Sequence, residues 1–125
     1  MEEFFLYQDD FEYTYRITKK GGKIYLLLDS IVEDLERSWG AVERMTIFHD
    51  YNEGPKTRVY YTVRNRVYFD LKYRVTNKFV YLLNMALFKT LLFIFNGFRS
   101  NKVFERAVED GIMGRLGKID PKELE

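Results

Sequence analysis

The chain is organised around one stretch near its start, Glu3-Phe4-Phe5-Leu6-Tyr7-Gln8-Asp9-Asp10-Phe11-Glu12-Tyr13-Thr14-Tyr15-Arg16. In it, three carboxylates lie between two groups of aromatic side chains. Asp9 is a residue type that caps helices, and Glu12 follows three positions later, where the glutamate of a capping box stands. The run Lys19-Lys20-Gly21-Gly22 is typical of a helix end, because cations and left-handed glycines are favoured there. The sequence therefore predicts a helix from Asp9 to about Lys20.

The acidic cluster has two interpretations. A cap needs only one carboxylate, and a capped, solvated helix start accounts for it without any chemistry. Alternatively, the paired carboxylates follow an aromatic run that we expect to be partly buried, and such a pair is suited to general acid/base catalysis. Asp10, close to the helix N-terminus, stays ionised and accepts a proton from a substrate hydroxyl while a neighbouring carboxylate orients that hydroxyl. Spacing alone leaves both interpretations open.

Three separated motifs in the chain occur in the same order in a known family. They are the acidic stretch with Lys19–Leu26 and Asp29-Ser30-Ile31-Val32, then Arg58, Tyr60-Tyr61, Arg64-Asn65-Arg66 and Tyr68, then Ala107–Gly111 with Gly114–Lys118. Together they resemble the second half of family 2 glycosyltransferases. The closest subgroup contains the rhamnosyltransferases and galactofuranosyltransferases that build bacterial surface polysaccharides. The resemblance covers nearly the whole chain.

The resemblance implies a role for several residues. Asp10 matches the catalytic base, and Asp9 and Glu12 match contacts to the acceptor sugar. Asp34 stands where the family usually has a histidine that binds a divalent metal. It has two interpretations, a ligand for Mg²⁺ or Mn²⁺, which aspartate also binds, or a surface charge. Trp39 has two interpretations, a platform on which a sugar ring stacks or a buried anchor for its loop.

The resemblance also implies a fold and an activity. We expect an α-rich α/β chain in which residues 1–56 are the acceptor-side part of a GT-A catalytic domain, a helix plus a strand, and residues 57–125 are a bundle of about three helices. The apolar run Lys23–Val32 is the predicted strand, and a short strand is expected at Met45–His49. The nucleotide-sugar site, with its metal-holding Asp-x-Asp motif, would precede Met1, so we expect a fragment that is inactive alone.

The second half contains three predicted helices. Arg58–Val75 has an apolar stripe at helical spacing and a basic surface that suits anionic lipid or, equally, acidic neighbours in the protein. Phe79–Phe95 is the most apolar segment. At about 25 Å it is shorter than a hydrocarbon core of about 30 Å, and a lysine near its centre argues against a membrane span. The sequence does not decide what covers this apolar segment: the other helices, a second copy of the chain, the missing catalytic half or a membrane surface. Asn101–Leu116 is predicted as a last helix, weakened at Gly111 and Gly114.

Composition narrows the compartment and the partners. The 125 residues are 46% hydrophobic and contain no cysteine, which fits one folded domain in a reducing compartment. Twenty basic and nineteen acidic residues give a net charge of +1, so nothing favours nucleic acid. We expect a cytoplasmic protein with possible peripheral contact to the inner face of the cell membrane. The complete enzyme would bind a nucleotide sugar and a sugar acceptor. The alternative function is a non-enzymatic module that forms homodimers or contacts a membrane surface.

Overall fold

The computed structural model describes residue 4, residues 7–31 and residues 47–125, and the regular elements in those ranges are all helical. They are α1 (Asp9–Lys19), α2 (Ile47–Glu53), α3 (Lys56–Phe69), which continues into a π-helical turn (Asp70–Arg74), α4 (Lys78–Phe95), α5 (Lys102–Met113) and a final 3-10 turn (Pro121–Leu124). The predicted helices of the C-terminal half are thereby confirmed.

Helix α3 is the centre of the hydrophobic core. Val59, Val63 and Val67 are buried along one side of it, at helical spacing. They pack with Phe104 and Ala107 of α5, and further buried side chains from α4 and the C-terminal turn complete the same cluster. The predicted stripe on this helix is correct, although the α-helix ends at Phe69 and a π-helical turn carries the chain onward.

Helices α3 and α5 approach closely at Gly111. A Cβ added there would lie 2.7 Å from the Arg64 carbonyl oxygen and 2.9 Å from Val67 Cβ. Glycine is therefore needed for contact between the two backbones, and the expectation that it weakens the helix misses this role. Helix α5 runs through Gly111 and ends at Met113, where Gly114 takes the left-handed conformation with φ 69°.

Asparagine side chains begin α4 and α5. The Val80 amide donates to Asn77 Oδ1 at 3.1 Å, and the Phe104 amide donates to Asn101 Oδ1 at 2.9 Å. Asn101 also donates through Nδ2 to the Tyr51 carbonyl oxygen at 2.7 Å, which attaches α2 to the start of α5. These caps fix where the two helices begin.

The predicted α/β architecture, with its GT-A helix and strand, is wrong for the described part of the chain, which contains no strand or sheet. In the predicted strand Lys23–Val32, the described residues up to Ile31 form no strand, and Tyr25 and Leu26 are 76% and 85% exposed. A strand is stable only when another strand pairs with it, and the described residues supply none. The second predicted strand, Met45–His49, is wrong from Ile47 onward, where α2 begins; Met45 and Thr46 lie outside the described residues.

The division between residues 1–56 and 57–125 stays a prediction. It falls at the first residue of α3.

Helix α1 packs against the far end of α3, where the Tyr15 and Phe69 rings meet edge to face at 5.4 Å and Tyr15 Oη donates to the Tyr73 carbonyl oxygen at 2.7 Å. Helix α2 lies on α4, with Phe48 stacked on Phe95 at 4.6 Å.

Candidate functional site

The acidic cluster forms the first turn of α1. Asp9 and Asp10 are the first two helical residues and both are exposed. Glu12 is turned inward and is 6% exposed, with Oε1 lying 3.4 Å from Arg16 Nε. The expected cap on Asp9 is wrong, because Gln8 occupies the N-cap position, and the Gln8 side chain makes no capping hydrogen bond. The two aspartates instead lie in the first turn of α1, at the positive end of the helix dipole.

A strained turn precedes the two aspartates. Tyr7 and Gln8 have φ angles of 61° and 73°, in the left-handed region that costs a non-glycine residue about 1–2 kcal/mol. Asn65 Nδ2 donates to the Tyr7 carbonyl oxygen at 3.1 Å and so holds the turn from α3. Strain of this kind persists where surrounding contacts enforce it, and it is frequent at functional sites. Here it directs the two aspartates toward solvent.

Asn65 belongs to a buried polar cluster with Arg64. The Arg64 side chain is 1% exposed, and its Nε and Nη2 donate to Asn65 Oδ1 at 3.0 and 2.9 Å. Arg64 Nη1 donates to the Gly117 carbonyl oxygen at 2.7 Å, while the guanidinium lies over the rings of Tyr60 and Tyr61. The pair therefore joins the turn before α1 to the loop after α5.

A second cluster surrounds Asp70 at the end of α3. Arg66 Nε lies 2.9 Å from one Asp70 oxygen and Arg74 Nη1 lies 3.2 Å from the other. Arg66 also lies 5.0 Å from the ring centre of Phe11 on α1. Burial, and then the Asp70 charge, raises the pKa of the Tyr81 hydroxyl to about 12. Much of the basic surface predicted on this helix is thus used inside the fold, since Arg64 is buried and Arg66 and Arg74 are paired.

A third cluster ties α3 to α5. Tyr60 Oη donates to Asp110 Oδ2 at 2.6 Å, and Arg115 Nε donates to Asp110 Oδ1 at 2.6 Å. Burial, followed by the hydrogen bond to Asp110, raises the pKa of Tyr60. The hydrogen bonds to Glu109 and then Asp110 raise the pKa of Arg115. The last of the three sequence motifs therefore acts in this structure as a connection between helices.

The predicted site residues are only partly brought together. Asp9 and Asp10 share an exposed surface, and Glu12 lies behind them, paired with Arg16. Asp34 and Trp39 lie outside the described residues. Within the described ranges, no three His, Asp or Glu side chains lie close enough to hold a metal ion. The described residues alone therefore do not fit the divalent metal that the resemblance implies, and its predicted ligand, Asp34, is not among them.

Sequence reasoning missed the importance of Arg64 and Asn65. Both are in the motif that carries the resemblance, but the sequence pattern places Arg64 in the basic surface of the helix and gives Asn65 no role of its own. The sequence did contain a signal of their burial, because Arg64 and Asn65 lie directly after Val63, a residue of the apolar stripe. Burying an unpaired charge there would be costly, so polar partners inside the protein are expected.

Comparison of the chain with models of protein families, with curated proteins and with solved structures found no match.

Proposed function

We propose that this chain contributes the base-bearing, acceptor-side part of an inverting glycosyltransferase. The complete enzyme would transfer rhamnose or galactofuranose from a nucleotide sugar to a polysaccharide or a lipid-linked acceptor. One observation carries the proposal: Asp10 is exposed at a helix N-terminus, behind a turn of two left-handed residues that Asn65 holds. The three motifs of the resemblance, distant in the sequence, also meet through the Arg64 and Asn65 side chains.

In the proposed reaction, Asp10 is the general base. Its carboxylate accepts the proton of an acceptor hydroxyl as that oxygen attacks the anomeric carbon of the donor. The bond from the anomeric carbon to the diphosphate oxygen breaks, its electron pair leaves with the nucleoside diphosphate, and the configuration inverts. Asp9, exposed beside Asp10, orients the acceptor through hydrogen bonds. Glu12 pairs with Arg16 and so holds the first turn of α1 rather than the sugar.

Donor binding belongs, by the same resemblance, to residues beyond these 125. The sequence contains no Asp-x-Asp motif. We therefore expect the purified chain to bind acceptor sugars weakly and to leave nucleotide sugars unchanged. Turnover of a nucleotide sugar by this chain alone would contradict the proposal.

The first test is acceptor binding, because it needs no second component. The full chain is titrated with oligosaccharides that end in rhamnose or galactofuranose, and backbone amide shifts are followed by NMR. We expect shifts concentrated at Asp9, Asp10 and Phe11, and weaker binding for Asp9→Asn. The matched control is Glu53→Gln, which removes one carboxylate at the exposed end of α2. Shifts elsewhere only, or none, would count against the acceptor site.

The second test is transfer in a reconstituted enzyme. The chain is combined with the nucleotide-binding part of an enzyme from the resembled subgroup. The mixture is supplied with an acceptor oligosaccharide and with rhamnose or galactofuranose linked to a nucleotide. Loss of a general base lowers a rate by about 10²–10⁴-fold, so Asp10→Asn should nearly abolish transfer. Glu53→Gln should leave it unchanged. A reconstituted Asp10→Asn enzyme with the rate of the unmodified one would remove Asp10 from the mechanism.

A further inference from the structure

One side of α4 is a large apolar surface. The inner side carries Tyr81, Met85, Phe88 and Leu92, which pack on the core. The opposite side is exposed and is defined here as the α4 face: Phe79, Val80, Leu82, Leu83, Leu87, Phe93 and Ile94. Phe79 is 76% exposed and Leu83 and Leu87 are each 60% exposed. Leu92 is the one fully buried residue of the 18 in α4, so α4 differs from the core helix of a soluble protein.

Two of the three polar side chains that interrupt α4, those of Lys89 and Thr90, have partners within the protein. Thr90 Oγ1 donates to the Ala86 carbonyl oxygen at 2.9 Å. The Lys89 ammonium lies 3.0 Å from a carboxylate oxygen of Glu105 on α5. Both groups therefore have partners within the protein, and the lysine that argued against a membrane span is paired with the adjacent helix.

The segment that contains α4 carries charges of one sign, and the two carboxylates that flank it in the sequence, Asp70 and Glu105, are paired with Arg74 and Lys89. Residues 71–104 contain no acidic side chain and six basic ones: Lys72, Arg74, Lys78, Lys89, Arg99 and Lys102. Five of the six lie at or beyond the two ends of the helix and one lies in its middle. Among the described residues, Lys78, Arg99 and Lys102 have no carboxylate within salt-bridge distance. These cations are available to an anionic partner.

This charge pattern selects between a second copy of the chain and a lipid surface. In a symmetric dimer the α4 face would meet itself, because the same patch is used on both subunits. Whether the paired helices ran parallel or antiparallel, a basic end would meet a basic end, which is unfavourable. Anionic lipid headgroups, by contrast, complement both ends while the acyl boundary covers the apolar side chains.

We propose that the α4 face binds the surface of an anionic membrane, with the helix lying in the plane of the headgroups. By length and composition alone, α4 also meets the requirements of a helix that crosses a membrane. The surface arrangement follows because the inner side of α4 is packed on the protein core and Lys89 is paired with α5. This inference does not depend on the glycosyltransferase proposal.

The test uses vesicle flotation with the full chain. Vesicles of phosphatidylcholine alone are compared with vesicles that contain one third phosphatidylglycerol. We expect at least tenfold tighter binding to the anionic vesicles and a loss of that preference as salt is raised. Equal binding to both kinds of vesicle, or binding to neither, would overturn the proposal.

Variants distinguish binding through the α4 face from nonspecific hydrophobic adsorption to the vesicles. Leu83→Ser with Leu87→Ser removes two exposed apolar side chains and should weaken binding at least tenfold, with an unchanged circular dichroism spectrum. The matched control is Leu26→Ser with Leu27→Ser, at two leucines that are 85% and 72% exposed in another part of the chain. If the control weakens binding as much, the α4 face is not the site.

A charge variant and a mass measurement complete the design. Arg99→Gln with Lys102→Gln should reduce the preference for anionic vesicles severalfold, whereas Lys20→Gln with Lys23→Gln should not. Light scattering then reports the mass of the chain without lipid. A dimer that dissociates in the Leu83→Ser, Leu87→Ser variant, together with no vesicle binding, would assign the α4 face to a second copy instead.

Discussion

Gly111→Ala is expected to destabilise the protein, although the same change in most helices stabilises. In an exposed helix, alanine is favoured over glycine by about 1 kcal/mol. At Gly111 the new methyl group would lie 2.7 Å from the Arg64 carbonyl oxygen and 2.9 Å from Val67 Cβ. The two helix backbones must then separate, because a carbonyl oxygen in a helix cannot turn away as a flexible side chain can.

The size of the effect follows from that separation. The methyl group must move back by about 0.7 Å to reach the 3.4 Å at which ordinary contact begins. A gap of this size weakens the packing of Val63 and Val67 against α5, and overpacking in cores costs about 1–3 kcal/mol. After subtraction of the gain in helix propensity of about 1 kcal/mol, we expect the free energy of unfolding to fall by up to about 2 kcal/mol.

Urea denaturation followed by circular dichroism measures this change. Asn84→Ala is the control, because Asn84 is exposed in α4 and its replacement should raise stability by about 0.5 kcal/mol through propensity alone. Val67→Ala combined with Gly111→Ala should cost less than the two single changes together, since the smaller side chain relieves part of the clash. Stabilisation by Gly111→Ala, as at an exposed site, would refute the close approach of α3 and α5.

Two further predictions concern the polar clusters. Asn65→Ala removes the oxygen that accepts from Arg64 Nε and Nη2 and leaves the buried guanidinium with only the Gly117 carbonyl oxygen. We expect unfolding in urea to show a loss of about 3 kcal/mol; a loss below about 1 kcal/mol would mean that the cluster is not closed as described. The Tyr81 hydroxyl has a pKa raised to about 12 from 10.0, so its contribution to stability is complete below pH 10 and is lost as the pH rises toward 12. Ultraviolet titration of Tyr81→Phe should lack one group that ionises near pH 12 in the unmodified protein.

Local signals in the sequence predicted the helices well. The glycine pair ends α1 as expected, with φ 82° at Gly21 and the Gly22 amide donating to the Ile17 carbonyl oxygen at 2.9 Å. The valine stripe of α3 is also where the sequence places it, whereas α5 ends at Met113, before the predicted Leu116, where Gly114 takes the left-handed conformation. Helix periodicity and capping depend on neighbours within a few residues, so one sequence contains most of the information.

Features that depend on distant partners were predicted poorly. The run Leu26-Leu27-Leu28 has the composition of a buried strand, but a strand also requires a partner, and the described residues offer none. The burial of Arg64 depends on the carbonyl oxygen of Gly117, far along the chain. The exposed aspartates were predicted as a pair, whereas the turn that presents them depends on Asn65, which the acidic motif does not include.

The position of the hydrophobic core determines the order in which parts of the protein unfold. Every residue of the core cluster and its partly buried neighbours lies at or after Phe48, and α1 is attached to this core through the end of α3. The chain should therefore unfold in two steps, with α1 detaching at a lower free energy than the global transition. In hydrogen exchange, α1 amides would lose protection first, and a ligand bound at Asp9 and Asp10 would slow exchange in α1 while leaving that of α3 unchanged.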